Sequence, residues 1–295
     1  MRNTNCLIIT EGFFGDIIFA SSLADKLKKD YNEVDYLIGF SQMEILMKNN
    51  PYINNVYVSN PNSSSPIFNI QKEYTQIIKL PKLSFNESPP VEYQQYCNIK
   101  ELTPEYHVYT SPEYDAIAKD YIDSISNGKK VLAYMANWKE KTYLFTEEQY
   151  ELGIDVPNLG YGGKHRDINF ILNQLKEDYT LLEIGFPNNI NQFQTSEIEY
   201  NHPKSILFEC SLMKYCDAFI GTEGGLSNLA AGVGCKTIIT GDFIHQLYGW
   251  NGVIKKIKEP KLGPKYYFGD NHITLDPYLT DEQIVIEIKN KLKIK

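Results

Sequence analysis

The stretch Lys204–Asp242, KSILFECSLMKYCDAFIGTEGGLSNLAAGVGCKTIITGD, decides the fold. It reads as a helix, a buried strand (Ala218–Gly221), a tight turn, a second helix and another buried strand (Thr237–Thr240). The turn is Gly221-Thr222-Glu223-Gly224-Gly225. In an open parallel sheet such a turn sits where a strand's carboxyl end meets a helix's amino end, and ligands bind there. Free N–H groups and the helix dipole favour an anion at that point, and glycines let a ligand approach the backbone closely. A phosphorylated ligand is therefore one expectation for this turn. An ordinary strand–helix turn with a chemically idle Glu223 is the other.

Working outward, the same alternation fills the chain. Residues 5–10 (NCLIIT) form a short apolar run that reads as a buried strand, followed by the turn Glu11-Gly12-Phe13-Phe14-Gly15-Asp16. Ala20, Leu23, Ala24 and Leu27 then recur at helical spacing. Val34–Gly39 is a second strand. Ser41 and Glu44 make an S-x-x-E capping box for a helix reaching Met47. Asn55–Ser59 and Thr75–Leu80 are further strands. Pro81–Pro104 carries four prolines and no clear period, and is expected to be a long irregular, ligand-facing loop. Tyr114–Ile125 is an amphipathic helix, and a turn at 126–130 ends the first half. Val131–Met135 opens a second α/β unit. A helix start at Thr146, a glycine-rich loop at 157–165, a helix over 167–176 and a strand at Thr180–Gly185 lead into the stretch quoted above. Ile273–Leu275 is a last strand, and Thr280 caps a helix over Asp281–Leu292. Two halves that each alternate strand and helix predict an α/β protein of two parallel-sheet domains facing across a cleft. The expected boundaries are 1–127, 128–279 and a terminal helix at 280–295.

The bulk properties agree. A chain of 295 residues, 42% hydrophobic and 22% charged, can bury a sizeable core. Net charge of −8 makes nucleic acid an unfavourable main partner. The five cysteines form no CxxC or zinc spacing, and Cys6, Cys210, Cys216 and Cys235 lie in apolar segments as small core residues. A reducing, cytoplasmic setting is expected. No run approaches the ~20 apolar residues of a membrane span. The histidines and carboxylates have no metal-ligand spacing, so no metal is expected.

Few residues carry candidate chemistry. Asp16 starts a helix after a glycine turn, where a carboxylate can take a proton from a hydroxyl nucleophile or simply cap the helix. Glu11-Gly12-x-x-Gly15 lacks the full dinucleotide fingerprint, and a P-loop is absent. Lys139 and Lys141, beside Trp138, follow the first strand of the second half and could pair with a diphosphate. Lys164, His165 and Arg166 are a further cationic group. A solvated charged surface is the alternative for each, as for Lys255–Lys265.

Two of these motifs resemble the ADP-heptose:lipopolysaccharide heptosyltransferases, a GT-B glycosyltransferase family. Gly15-Asp16 with its helix, VDYLIG, and Asn50-Pro51-Tyr52-Ile53-Asn54-Asn55-Val56 are similar to that family's opening. The 221–235 stretch is similar to its D-[ST]-G-x-x-H-x-A-A signature. The resemblance implies two Rossmann-like domains, an acceptor in the first and a nucleotide-sugar donor in the second. It also implies metal-independent, inverting transfer to a glycan or lipid-linked acceptor, with no cofactor and membrane contact only through the acceptor. By that resemblance Asp16 is the general base, and Gly224 and Gly225 present N–H groups to the leaving diphosphate. Lys139 or Lys141 offsets its charge, and Thr222, Glu223 and Asn228 complete the donor site. The signature's Asp, Ser/Thr and His are here Glu223, Gly224 and Asn228, which bears on heptose and ADP more than on a nucleotide sugar. A non-catalytic nucleotide-sugar binder and a sugar-nucleotide 2-epimerase-like enzyme are the alternatives.

Overall fold

The computed structural model describes residues 4–12, 14–59, 70–83, 87–135, 168–184, 206–221, 224–240, 271–275 and 279–292. In chain order its first elements are β1 (Asn5–Thr10), α1 (Phe14–Ser21), α2 (Ala24–Leu27), β2 (Glu33–Ile38), α3 (Glu44–Lys48), β3 (Asn55–Val58) and β4 (Gln76–Lys79). Then come α4 (Pro89–Tyr96), α5 (Pro112–Ser126), β5 (Lys130–Met135), α6 (Ile168–Leu175), β6 (Tyr179–Ile184) and α7 (Ile206–Tyr215). The last are β7 (Ala218–Gly221), α8 (Gly225–Gly232), β8 (Thr237–Ile239), β9 (His272–Thr274) and α9 (Asp281–Leu292).

The strands form two sheets, a four-stranded one in the order β3-β2-β1-β4 and a five-stranded one in the order β6-β5-β7-β8-β9. Every pairing is parallel. The inner strands β1, β5 and β7 are covered on both faces, which is why they read as apolar runs. The two-residue period then sorts side chains by face. Cys6, Ile8, Val34, Tyr36 and Ile38 point into one large core, while Leu7, Ile9 and Leu37 point to the other side. In the second sheet Val131, Ala133, Leu182 and Phe219 join that same large core, and Leu132, Tyr134, Leu181 and Ile220 pack under α6 and α9. One continuous apolar core thus touches a face of each sheet. This is an α/β fold of two Rossmann-like parallel-sheet domains.

Among the described residues the local readings hold with three differences. The helix after β1 breaks at Ser21-Ser22, whose hydroxyls donate back to the carbonyls of Ile18 and Phe19 at 2.6 Å each. Such bonds compete with the helix ladder. Ala20, Leu23, Ala24 and Leu27 are nonetheless all buried. The expected Ser41 capping box does not form. A 3₁₀ turn over Ser41–Met43 leads into α3, and Glu44 pairs with Lys48 one turn on. The expected irregular loop at 81–104 contains α4, with proline in its first turn. Proline there forfeits no helical hydrogen bond, and its fixed φ suits a helix start. At the other end of the chain Thr280 caps α9 as read, accepting from the Gln283 N–H at 3.3 Å. All five cysteines are free thiols, and Cys6, Cys210, Cys216 and Cys235 are core residues.

α5 lies against α7 and β5. Lys214 of α7 reaches Asp115 of α5 at 2.6 Å. Together with Thr110 and Ser211, that lysine holds the Asp115 carboxyl below its ordinary range against the opposing effect of burial. Among the described residues no helix is long and apolar enough to cross a membrane.

Candidate active site at the sheet switch points

In each sheet the chain reverses its direction of travel across the strands once. In the first sheet β1 lies between β2 and β4; in the second, β5 lies between β6 and β7. Ligands of open α/β sheets sit at the carboxyl ends of the strands that flank such a reversal. The first turn leaving β1 carries Gly12 to Asp16. The turn leaving β7 carries residues 222 to 225. Met135 ends β5 shortly before Lys139 and Lys141. Asp16, at the start of α1, and Gly224 and Gly225, at the start of α8, therefore follow the strand ends at the two reversals. Lys139, Lys141, Thr222 and Glu223 lie outside the described residues, as do Trp138, the helix start at Thr146, the 157–165 loop, Lys164, His165, Arg166 and the 255–265 run.

Asp16 occupies the first turn of α1 and is partly exposed. Its side chain folds over Gly12. A Cβ on Gly12 would lie 2.3 Å from the Asp16 Cβ and 2.4 Å from its Oδ2. Gly12 is thus the floor on which the carboxylate rests. The helix behind it, α1, packs against α4 and α8. Tyr93 of α4 is buried nearby. Burial first, and then the carboxylates of Asp16 and Glu92, hold its phenol well above the ordinary tyrosine range.

From the other sheet comes the first turn of α8. The Gly221 carbonyl at the end of β7 accepts the Thr240 N–H at 2.9 Å, which fixes the strand's exit. Gly224 precedes the helix. Its N–H donates to Ser227 Oγ at 2.9 Å, and the Ser227 hydroxyl donates back to its carbonyl at 2.7 Å. Ser227 so locks the turn. By helix geometry the N–H groups of Gly225 and Leu226 lack an intrahelical acceptor and remain for an anion. One turn in, Asn228 is 4% exposed. A Cβ on Gly15 would sit 3.2 Å from its Nδ2, so the amide meets the start of α1. The buried Asn228 Oδ1 accepts no hydrogen bond among the described residues. Buried polar atoms are normally satisfied, and a ligand hydroxyl would supply the partner. The structure therefore brings the start of α1, with Asp16, against α8, whose first residues are Gly225 to Asn228 after Gly224.

Three contributors were not singled out from the sequence. Gly12 and Asp16 are spaced one helical turn apart, a signal that was present. Ser227 is a small hydroxyl residue three places after Gly224, which fits a turn-closing role. The third is an ion pair at the carboxyl end of the first sheet, where Lys79, the last residue of β4, reaches Glu11 after β1 at 3.1 Å. It spans that sheet's reversal. So exposed a pair contributes no more than about 1 kcal/mol, and exchanging it for ligand contacts costs little.

No family model matches the chain, and no curated protein matches it at a significant level. Solved structures do. A glycosyl transferase family 9 protein from Veillonella parvula superposes with a TM-score of 0.65 at 12% identity, over 99% of this chain and 98% of that one. ADP-heptose lipopolysaccharide heptosyltransferase II of Escherichia coli gives 0.59 at 12% identity, over 98% of each chain. The heptosyltransferase WaaC of Escherichia coli, with ADP-2-deoxy-2-fluoro heptose, gives 0.55 at 11% identity, over 98% of this chain and 100% of that one. The resemblance carried in sequence by two motifs thus extends, at the level of structure, over nearly the whole chain. The fold is that of the GT-B glycosyltransferases.

Proposed function

We propose that this protein is an inverting glycosyltransferase that moves a sugar from a nucleotide-sugar donor to a hydroxyl of a glycan or lipid-linked acceptor, without a metal. The observation that carries the reading is the meeting of α1 and α8 at Gly15 and Asn228, which puts the Asp16 turn beside the start of α8. Residues 1–127 form the acceptor side and 128–279 the donor side. The donor diphosphate rests on the first N–H groups of α8, at Gly225 and after, on the turn that Gly224 and Ser227 close. Asn228 takes a donor hydroxyl on its Oδ1, and Thr222 and Glu223 complete the sugar and ribose contacts. The Asp16 carboxylate accepts the proton of the acceptor hydroxyl as that oxygen bonds to the anomeric carbon. The anomeric C–O bond breaks on the opposite face, and the nucleotide leaves with the electron pair. Lys139 or Lys141, with the α8 amides, offsets its charge, the preorganised electrostatic role that often dominates catalysis. The solved structures that share the fold include two whose names carry ADP-heptose or its analogue, which supports a nucleotide-sugar donor in general.

The test has two parts. A thermal-shift panel of ADP-, GDP-, UDP- and CMP-activated sugars should raise the melting temperature with at least one of them, since ligand bound only to the native state stabilises it. With that donor, Asp16→Asn should keep the shift and lose turnover by about 10²- to 10⁴-fold, the usual span for a general base. Turnover should survive chelation by EDTA. No shift with any nucleotide removes the donor site, and near-wild-type turnover in Asp16→Asn removes Asp16 from the mechanism.

A further inference from the structure

The segment between α4 and α5 crosses from one sheet to the other, and it runs along the seam between α1 and α8. Tyr106 lies in it, 5% exposed. Its hydroxyl donates to the carbonyl of Asn228 at 2.9 Å. Its ring meets Phe19 of α1 edge-on, with centroids 5.2 Å apart and planes at 88°. A Cβ on Gly232, at the far end of α8, would come 3.0 Å from that ring and 2.6 Å from Val108 Cγ2. The Val108 N–H donates to the Gly232 carbonyl at 2.8 Å. So α8 is held at both ends by residues 106–108, and Tyr106 joins Asn228 to α1 beside the direct contact of the Asn228 amide with Gly15.

We infer that Tyr106 is a positioning residue: it sets the separation between the Asp16 turn on α1 and the donor turn on α8. The inference rests on the glycosyltransferase reading above and deepens it. Two observations make the bond more than packing. Asn228 is the residue whose side chain meets Gly15, next to Asp16, and whose Oδ1 accepts no hydrogen bond among the described residues. Its carbonyl is the group Tyr106 grips. Any slide of α8 along its axis breaks that hydrogen bond, displaces the amide from Gly15 and drags on the Phe19 ring contact. Events at the donor turn are thereby passed to the base. Small displacements of a reacting group are costly, with about 1 Å worth about 10²-fold in rate.

The experiment uses the full chain and the activated sugar that gives the largest thermal shift in the four-nucleotide panel. Turnover is followed as donor hydrolysis, in which water takes the acceptor's place: its oxygen bonds to the anomeric carbon, its proton goes to Asp16, and the nucleotide leaves with the electron pair of the broken bond. In Tyr106→Phe the ring contacts stay and only the hydroxyl is lost. The expected result is a kcat about 10-fold lower with the donor KM within 2-fold of wild type. Hydrogen exchange gives a second readout. Donor binding should slow exchange in both α8 and α1 of the wild type, and in α8 alone in Tyr106→Phe. Phe19→Leu, which cuts the other end of the same bridge, should reproduce the split, and this keeps the inference testable should the Phe variant fold poorly. A Tyr106→Phe protein that has a lower melting temperature but wild-type kcat and wild-type α1 protection overturns the inference and leaves a structural clamp. A wild type that binds none of the four nucleotide classes overturns the underlying glycosyltransferase reading, and the inference with it.

Discussion

Gly12→Ala is the sharpest test of where the proposed catalytic carboxylate, Asp16, stands. The new Cβ would lie 2.3 Å from the Asp16 Cβ, 2.4 Å from its Oδ2 and 2.5 Å from its Cγ, whereas ordinary contact begins near 3.4 Å. The Asp16 side chain, being short, has no far end that can bend away while its root stays. Three of its atoms are too close at once, so the residue rotates or the turn shifts, and the carboxylate moves by about 1 Å. For a proton acceptor that has to reach an attacking hydroxyl, such a displacement costs about 10²-fold in rate, which corresponds to about 2.7 kcal/mol of transition-state stabilisation. The three atoms nearest the new Cβ all belong to Asp16, so donor affinity should change by less than 2-fold. The assay is steady-state turnover of the nucleotide sugar found by thermal shift, with calorimetric donor titration and a circular-dichroism melt run alongside. A folded Gly12→Ala protein whose kcat stays within 3-fold of wild type would refute the placement of Asp16 as the working base. A protein that loses donor binding as well would refute the assignment of the donor to α8.

Two further predictions concern the scaffold. Asp35 is fully buried and accepts from the Asn55 backbone and side chain, both at 3.0 Å, and from Lys72 and Tyr74, both at 2.7 Å. Asp35→Ala leaves those donors without their acceptor and should cost about 3–5 kcal/mol in a urea melt. Because Asp35 lies toward the amino end of β2, away from the site, kcat of the folded variant should not change. His272 in β9 is held by burial down to about 3, from an ordinary 6.5. The unfolded chain therefore takes up a proton near pH 6.5 that the folded protein refuses until near pH 3, so stability falls as pH drops through that window, by up to about 1.4 kcal/mol per unit. His272→Asn should flatten the dependence of unfolding free energy on pH between 6 and 4, and an unchanged slope would refute the assignment.

What the sequence disclosed followed from local physics. The strands β1, β5 and β7 carry apolar runs because both faces are covered, and the glycine turns after β1 and β7 stand out beside them. Asp16, Gly224 and Gly225 could be named from those turns, and Asn228 only from the resemblance to the heptosyltransferase signature. α4 was hidden because Ser88-Pro89-Pro90 looks like loop by composition, although proline in a first helical turn is favourable. Tyr106 gave no signal at all. Its partner Asn228 is 122 positions away, and neither residue stands in a periodic pattern that announces the contact. The Glu11–Lys79 pair was unreadable for the same reason, since parallel pairing of β1 with β4 brings those residues together only after the sheet forms.

The departure at Asn228 gains meaning from its surroundings. The signature places a histidine at this position, and a histidine can carry charge. Here the side chain is almost sealed between α1 and α8, with Gly15 against its Nδ2. A cation buried so deeply without a paired anion would be expensive. The amide keeps a donor and an acceptor at the same point and adds no charge, which lets the two helices close on it. A neutral residue cannot, however, neutralise a departing diphosphate. In the proposed mechanism that task passes to the N–H groups at the start of α8 and to Lys139 and Lys141 on the neighbouring loop. On that proposal the work is divided: uncharged groups between the helices set the geometry, and charge compensation comes from the α8 amides with Lys139 or Lys141.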